Sequence, residues 1–188
     1  FEDKINDIAT AAEQLDKQKD IGARVMRVAK SANLPWQDVA QGQRDILGLG
    51  GTEMLDKIAP IEERIGRLTY ASRAEASDLY KVLNTYLGVV GMSPKQALTN
   101  LEINYKQGKE GAFELKDMAR FMPSLGAAAK SYGLSGDQVG RDIPALLQIL
   151  RRVVGEPGEA ATRLQHGFSK LADPMTAKKV KKELDVDI

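Results

Sequence analysis

The segment AKSYGLSGDQVG at residues 129–140 decides the fold, because it places a helix end directly before a helix start. One hundred residues earlier, residues 29–40 read AKSANLPWQDVA, and a looser copy, VVGMSPKQA, occupies residues 89–97. Asn33, Gly91 and Gly133 are residue types that accept the left-handed backbone conformation with which many helices end. Each copy therefore predicts a helix, a tight corner and a second helix.

Helix-start signals follow these corners and recur elsewhere in the chain. The capping-box pattern, a serine three residues before a glutamine or glutamate, occurs at Ser93 with Gln96, Ser135 with Gln138 and Ser72 with Glu75. Pro35 and Pro94 suit the first position of a helix, where a missing amide costs nothing. Asp173, before Pro174, predicts the cap of a last helix.

Apolar residues recur at spacings of three and four along most of the chain, and no stretch alternates as a strand would. This pattern predicts an all-α fold, an array of short amphipathic helices packed as helical hairpins, compact to modestly elongated. The helices are expected at about residues 3–32, 35–47, 53–71 (interrupted near Pro60), 73–88, 94–107, 114–132 (bent near Pro123), 136–154 (bent near Pro144), 158–172 and 174–184. The corners lie 58 and then 42 residues apart, which is too irregular for a regular solenoid and indicates degenerate helical pairs.

The composition describes a chain that can bury a core and carries no strong charge bias. Of its 188 residues 43% are apolar, and 27 lysines and arginines stand against 26 aspartates and glutamates, a net charge of +1. So small a charge gives no broad field for nucleic acid, and no specific nucleic-acid binding is expected. No apolar run approaches the roughly 20 residues that cross a bilayer, so this segment is not expected to insert into a membrane.

Residue types that carry chemistry in other proteins occur here in patterns that favour structural roles. The GLGG segment at 48–51 lacks the lysine and hydroxyl residue of a phosphate loop and is interpreted as a helix connector. His166 has no second histidine and no cysteine with which to share a metal. Two carboxylate pairs are interpreted as solvated charges, namely Glu62 with Glu63 and Asp185 with Asp187. No catalytic, cofactor-binding or metal-binding residue is assigned, and no cofactor is expected.

Three further features were considered as possible functional sites, namely a basic cluster, the single tryptophan and the methionines. The segment AKKVKKELD at 177–185 carries Lys178, Lys179, Lys181 and Lys182, but nearby acids offset much of their charge. Trp36 is interpreted as packing against the preceding helix, with an exposed anchor for a partner as the alternative. Methionines near corners and bends are expected to fill gaps in the core, at Met92, Met118, Met122 and Met175.

The second half of the chain, residues 121–187, resembles the phage tail tape measure protein family. Residues 133–135, Gly-Leu-Ser, match that family's helix corner, and residues 159–164 match its "eAgtaLr" segment, with Ala161 in place of the usual glycine. Leu171, Asp173 and Pro174 match the close of that segment, while Asp185 replaces the glycine of its final "lGvd". Two earlier stretches, VMRVAKSANLPWQDVAQGQRDILGLGG and YLGVVGMSPKQAL, are similar to its upstream units, so the resemblance covers about residues 22 to 187.

The resemblance implies residues 1–21 as an N-terminal helical lead-in and 22–187 as a tape-measure-like helical domain, with a subdivision near 108–111 left open. Because the chain begins with Phe1, it is expected to be an excerpt of a longer polypeptide.

The resemblance also implies a function. It suggests a non-enzymatic structural segment that acts in tail assembly and tail-length determination, and in genome ejection. The implied location is the tail lumen of the virion, or the host cytoplasm during assembly, and the implied partners are tail tube and baseplate proteins, tail assembly chaperones and further copies of itself. A helical protein-binding adaptor module is the alternative, and a cell-wall hydrolase is a third hypothesis. Neighbouring tail genes would favour the structural role in a tail over both.

Overall fold

The computed structural model describes residues 1–184, and in this range it is helical without a strand, which confirms the all-α prediction. The α-helices are α1 (Glu2–Ala11), α2 (Gln18–Ala32), α3 (Trp36–Ile58), α4 (Glu62–Ser72), α5 (Ala76–Asn84), α6 (Pro94–Glu110), α7 (Leu115–Ser131), α8 (Asp137–Arg151), α9 (Pro157–Leu171) and α10 (Pro174–Leu184). A short 3₁₀ turn (Leu15–Lys17) precedes α2, and a π-helical turn (Thr85–Val89) continues α5.

The helices pack as hairpins in two layers. One layer consists of α2, α4, α6 and α8, each packed against the next in that order. The other layer consists of α3, α5, α7 and α9, packed in the same way. Successive helices join the layers, α1 packs against α2 and α3, and α10 packs against α9. The core between the layers is built mainly from Ile, Leu, Val, Ala and Met side chains. The predicted array of helical hairpins is therefore confirmed.

The hairpins repeat more regularly than the spacing of the sequence corners suggested. The first helices of the four hairpins end at Asn33, Arg73, Gly111 and Arg152, about 40 residues apart. The two AKS segments obscured this period because they occupy different positions in it. The corner at Asn33 lies within a hairpin, whereas the corner at Gly133 joins one hairpin to the next.

All three sequence corners adopt the predicted backbone. Asn33, Gly91 and Gly133 have φ of +54°, +80° and +97°. After the two AKS segments, the amides of Leu34 and Leu134 donate to carbonyls five residues back, at 2.9 and 3.0 Å, as in a Schellman motif. These bonds satisfy carbonyls that the helix ends leave without a partner.

The helix-start signals were predicted with mixed success. Ser93 and Gln96 form the predicted capping box, and Asp173 accepts from the amide of Thr176 at 3.2 Å. The prediction for Ser135 is wrong: Gly136 is the cap of α8, at φ +53°, and makes no side-chain capping bond. The prediction for Ser72 is also wrong, because Ser72 is the last residue of α4 and α5 begins after Glu75.

Two helix boundaries differ from the prediction. Helix α3 continues through GLGG, although Gly51 has φ of +63° there, because buried residues on both sides, Ile46 and Leu55 among them, hold the helix against its neighbours. The expected single helix over 3–32 is broken at Glu13, which has φ of +54°. The break lets α1 fold back and bury Ile5 and Ile8 against α2.

Small residues lie where stacked helices cross, a feature that the sequence analysis missed. A Cβ atom at Gly42 of α3 would lie 2.2 Å from the Tyr80 ring of α5, and one at Gly140 of α8 would lie 2.6 Å from Asn100 of α6. Ordinary carbon contacts are about 3.5 to 4.0 Å, so a larger residue would push these helices apart. Gly66 against Ala32 and Gly126 against Thr85 repeat the arrangement at 2.7 Å.

Candidate interaction surface

A buried polar cluster joins the first two hairpins. Glu62 of α4 is fully buried, and its Oε1 accepts hydrogen bonds from Gln43 Nε2 at 2.8 Å and from the Tyr80 hydroxyl at 3.1 Å. The Nε atom of Arg24 lies 3.5 Å from the other carboxylate oxygen. Burial raises the pKa of Glu62, and the charge of Arg24 and the two hydrogen bonds oppose that rise. Burial and the Glu62 charge also raise the pKa of Tyr80 well above its usual value.

The cluster corrects one interpretation of the sequence. Glu62 is not a solvated charge, whereas Glu63 is partly exposed and lies 3.7 Å from Arg67. Because Glu62, Ile65 and Thr69 follow the spacing of one face of α4, the helical pattern around Ile65 could have predicted this burial. With its carboxylate sealed from solvent among α2, α3, α4 and α5, Glu62 positions helices and has no route to a substrate.

The remaining candidate residues lie apart from one another. His166 is exposed on α9. Trp36 is partly buried against the core, and its ring lies 5.0 Å from that of Phe1, a contact that the interpretation of packing against the preceding helix did not include. Met92, Met118 and Met122 are buried as expected, but Met175 is 79% exposed, so that prediction is wrong.

The basic cluster and the second carboxylate pair lie at the end of the chain. Lys178, Lys179 and Lys182 are exposed on α10, and Asp185 and Asp187 lie outside the described residues. Among residues 1–184 no cluster of acidic or histidine side chains is arranged to hold a metal, and no helix is long and apolar enough to span a bilayer.

The clearest candidate for an interaction surface is an exposed apolar stripe on α8. Leu146 and Ile149 are 37% and 60% exposed, and Val153, in the turn that continues the helix, is 73% exposed. The opposite face of α8 is buried through Val139, Ile143 and Leu147, so the helix is apolar on both sides. A helix of that kind usually contacts something on each side.

Comparison with known protein families assigns the chain to one of them. The model of the family described as phage-related minor tail protein matches residues 24–188. The chain belongs to this family. Membership supports a structural role in a phage tail, in agreement with the resemblance found in the sequence. No solved structure matches the chain.

A relative extends the likeness to nearly the whole chain. A protein of Burkholderia phage BcepMu, named as a probable tape measure protein, is 28% identical over 186 residues, or 97% of this chain. The chain spans only 22% of the length of that relative. The similarity thus reaches at least part of α1, which lies before the part that the family model matches.

Proposed function

We propose that this chain is a non-enzymatic structural segment of a tail tape measure protein, and that it acts in tail assembly and tail-length determination. The observation that carries the proposal is the similarity to a probable tape measure protein over 97% of the chain. The packing supports it, because the only fully buried charged side chain among the described residues, Glu62, is used to hold helices together.

We further propose that the segment works as a folded domain. Helix α3, with 23 residues, is about 35 Å long, and each helix buries an apolar face against its neighbours. Helices this short are marginal alone, so the segment is stable as an array. A folded domain of this size is on the order of 40 Å across, whereas residues 22–187 as one continuous helix would span about 250 Å.

The proposed setting follows from the role. The segment lies in the tail lumen of the virion, and in the host cytoplasm during assembly, and takes part in genome ejection. Its partners are tail tube and baseplate proteins, tail assembly chaperones and further copies of itself, without specific nucleic-acid binding. The exposed stripe on α8 fits a segment that docks other proteins, which is also what an adaptor module would do.

The test is an in-frame deletion of residues 22–187 from the gene for the full-length tail protein, with tail lengths measured by electron microscopy. We expect either no tails or tails shortened by about 40 Å at most. Shortening by about 250 Å would overturn the folded domain, and unchanged infectious tails would overturn the tail assignment.

A variant of unchanged length serves as the matched control. Ile65→Glu places a charge at a fully buried position and should unfold the array without removing a residue. If this variant also fails to form tails, the folded state is required for assembly, independently of the length of the chain. Hydrolysis of cell-wall material by the purified wild-type chain would contradict the non-enzymatic role.

A further inference from the structure

Among the described residues, no helix follows α8 in the layer that contains α2, α4, α6 and α8, so one side of α8 is open. Each of the first three helices is followed in the layer by another, and α10, which comes next in the series, packs against α9. The open side of α8 carries the apolar stripe of Leu146, Ile149 and Val153. This exposed apolar face of α8 could therefore pack against another helix.

Two charges flank the stripe on the same face of α8. At 100° per residue, Asp142 and Arg152 lie within about 60° of Ile149 around the helix, one before the stripe and one within its last turn. Both side chains are exposed, and neither forms an ion pair with any other side chain that the structure describes. Their ten-residue separation corresponds to about 15 Å along the helix.

We propose that this face binds a second copy of the chain, with the two α8 helices antiparallel about a two-fold axis that meets the exposed face at the axial level of residue 147. Residues 142 and 152 are equally distant from position 147, so that axis places Asp142 of each copy opposite Arg152 of the partner subunit. The same axis brings Ile149 against the exposed Ala145 of the partner subunit. An isologous contact of this kind needs a self-complementary surface, and an apolar centre with an acid and a base at equal distances provides one.

The contact is small and should be weak. One helix face covers less than the roughly 800 Å² per partner of a standard interface, so we expect a dissociation constant on the order of 10 to 100 μM. Locally high concentration, as when several copies assemble together, would favour it. The pairing does not depend on the proposed role in the tail.

Sedimentation equilibrium of the 188-residue chain, from about 1 μM to about 1 mM, tests the proposal. We expect a reversible monomer–dimer equilibrium for the wild-type chain. Ile149→Glu should raise the dissociation constant at least about tenfold, because it places a carboxylate in the apolar centre of the contact. The matched control is Tyr70→Glu, which changes a side chain on α4 that is 59% exposed and should leave the equilibrium unchanged. A strictly monomeric wild-type chain, or dimers that tolerate Ile149→Glu, would overturn the proposal.

Charge reversal tests the antiparallel arrangement itself. Asp142→Arg and Arg152→Asp should each weaken the dimer at low salt, because each leaves two like charges facing one another. The double variant should restore dimerisation to within about threefold of the wild type. Additive weakening in the double variant would show that Asp142 and Arg152 do not face one another and would overturn the antiparallel arrangement, and no weakening in either single variant would show that another surface makes the dimer. Circular dichroism of each variant confirms that it is folded, and the failure of these tests would leave the tail-length experiment unaffected.

Discussion

The crossing of α3 and α5 at Gly42 gives the sharpest test of the fold, through the substitution Gly42→Ala. The new methyl group would lie 2.2 Å from Cδ2 of Tyr80, and ordinary contact requires about 3.5 Å, so the ring must move by about 1.3 Å. Tyr80 is 1% exposed, and its hydroxyl lies 3.1 Å from Oε1 of Glu62. Movement of that size would break this hydrogen bond.

The expected magnitude combines three contributions to the free energy of unfolding. Overpacking costs about 1 to 3 kcal/mol. Loss of a hydrogen bond to a buried carboxylate costs about 1.5 to 3 kcal/mol. Alanine gains about 1 kcal/mol over glycine in a helix. We therefore expect Gly42→Ala to lower the free energy of unfolding by roughly 1.5 to 5 kcal/mol.

Gly48→Ala is the matched control, because it makes the same substitution in the same helix. Gly48 is exposed and a Cβ there meets nothing within 4 Å, so this variant should be stabilised by about 0.5 to 1 kcal/mol. Urea denaturation followed by far-UV circular dichroism measures both, provided that the dependence on denaturant is unchanged. If Gly42→Ala were as stable as Gly48→Ala, helices α3 and α5 would not cross at Gly42.

Four further substitutions test the corners, the caps and the buried carboxylate. Gly133→Val should destabilise the chain by about 1 to 2 kcal/mol in thermal melts, because a β-branched residue is strained at φ +97°, and a melt like that of the wild type would contradict the corner. Ser93→Ala should cost about 1 kcal/mol, whereas Ser135→Ala, which removes no capping bond, should cost almost nothing; equal costs in urea denaturation would argue against the cap assignments. Burial raises the pKa of Glu62 above 4.5, so its contribution to stability is fully present below that pH and is lost as the pH rises through the folded-state pKa. Relative to Glu62→Gln, the wild type should therefore become less stable as the pH rises, and a constant difference across urea denaturations at several pH values would refute this.

Sequence reasoning recovered the features that short-range chemistry determines. The three corners were predicted because glycine and asparagine accept a positive φ, and the starts of α6, α9 and α10 followed, to within a residue, from proline and capping residues. Two other helix ends carry no such signal. Glu13 and Arg73 adopt the left-handed conformation without being glycine, because the chain must turn there for the next helix to bury its apolar face.

Features that depend on packing between distant segments were missed. GLGG has low helix propensity, yet the burial of residues on either side of it keeps α3 continuous. The sequence analysis interpreted Glu62 and Glu63 as a pair of solvated charges. It did not compare Glu62 with the buried face of α4, and so the burial of Glu62 was missed. The crossing glycines could not be recognised before the order of the layers was known, because only that order brings Gly140 against Asn100.

The described helices pack mainly against those one or two positions away along the chain, and this has an evolutionary consequence. A gene that gains or loses one unit of about 40 codons adds or removes one helical hairpin, and the contacts among the remaining hairpins stay the same. In the folded state such a change lengthens the array by only about 10 Å, the usual spacing between packed helices. Drawn out as a continuous helix, the same unit would add about 60 Å. The tail lengths of homologues that differ by whole hairpins would therefore distinguish the two states. A difference of about 10 Å per unit would indicate the folded array during assembly, and one of about 60 Å would indicate a continuous helix.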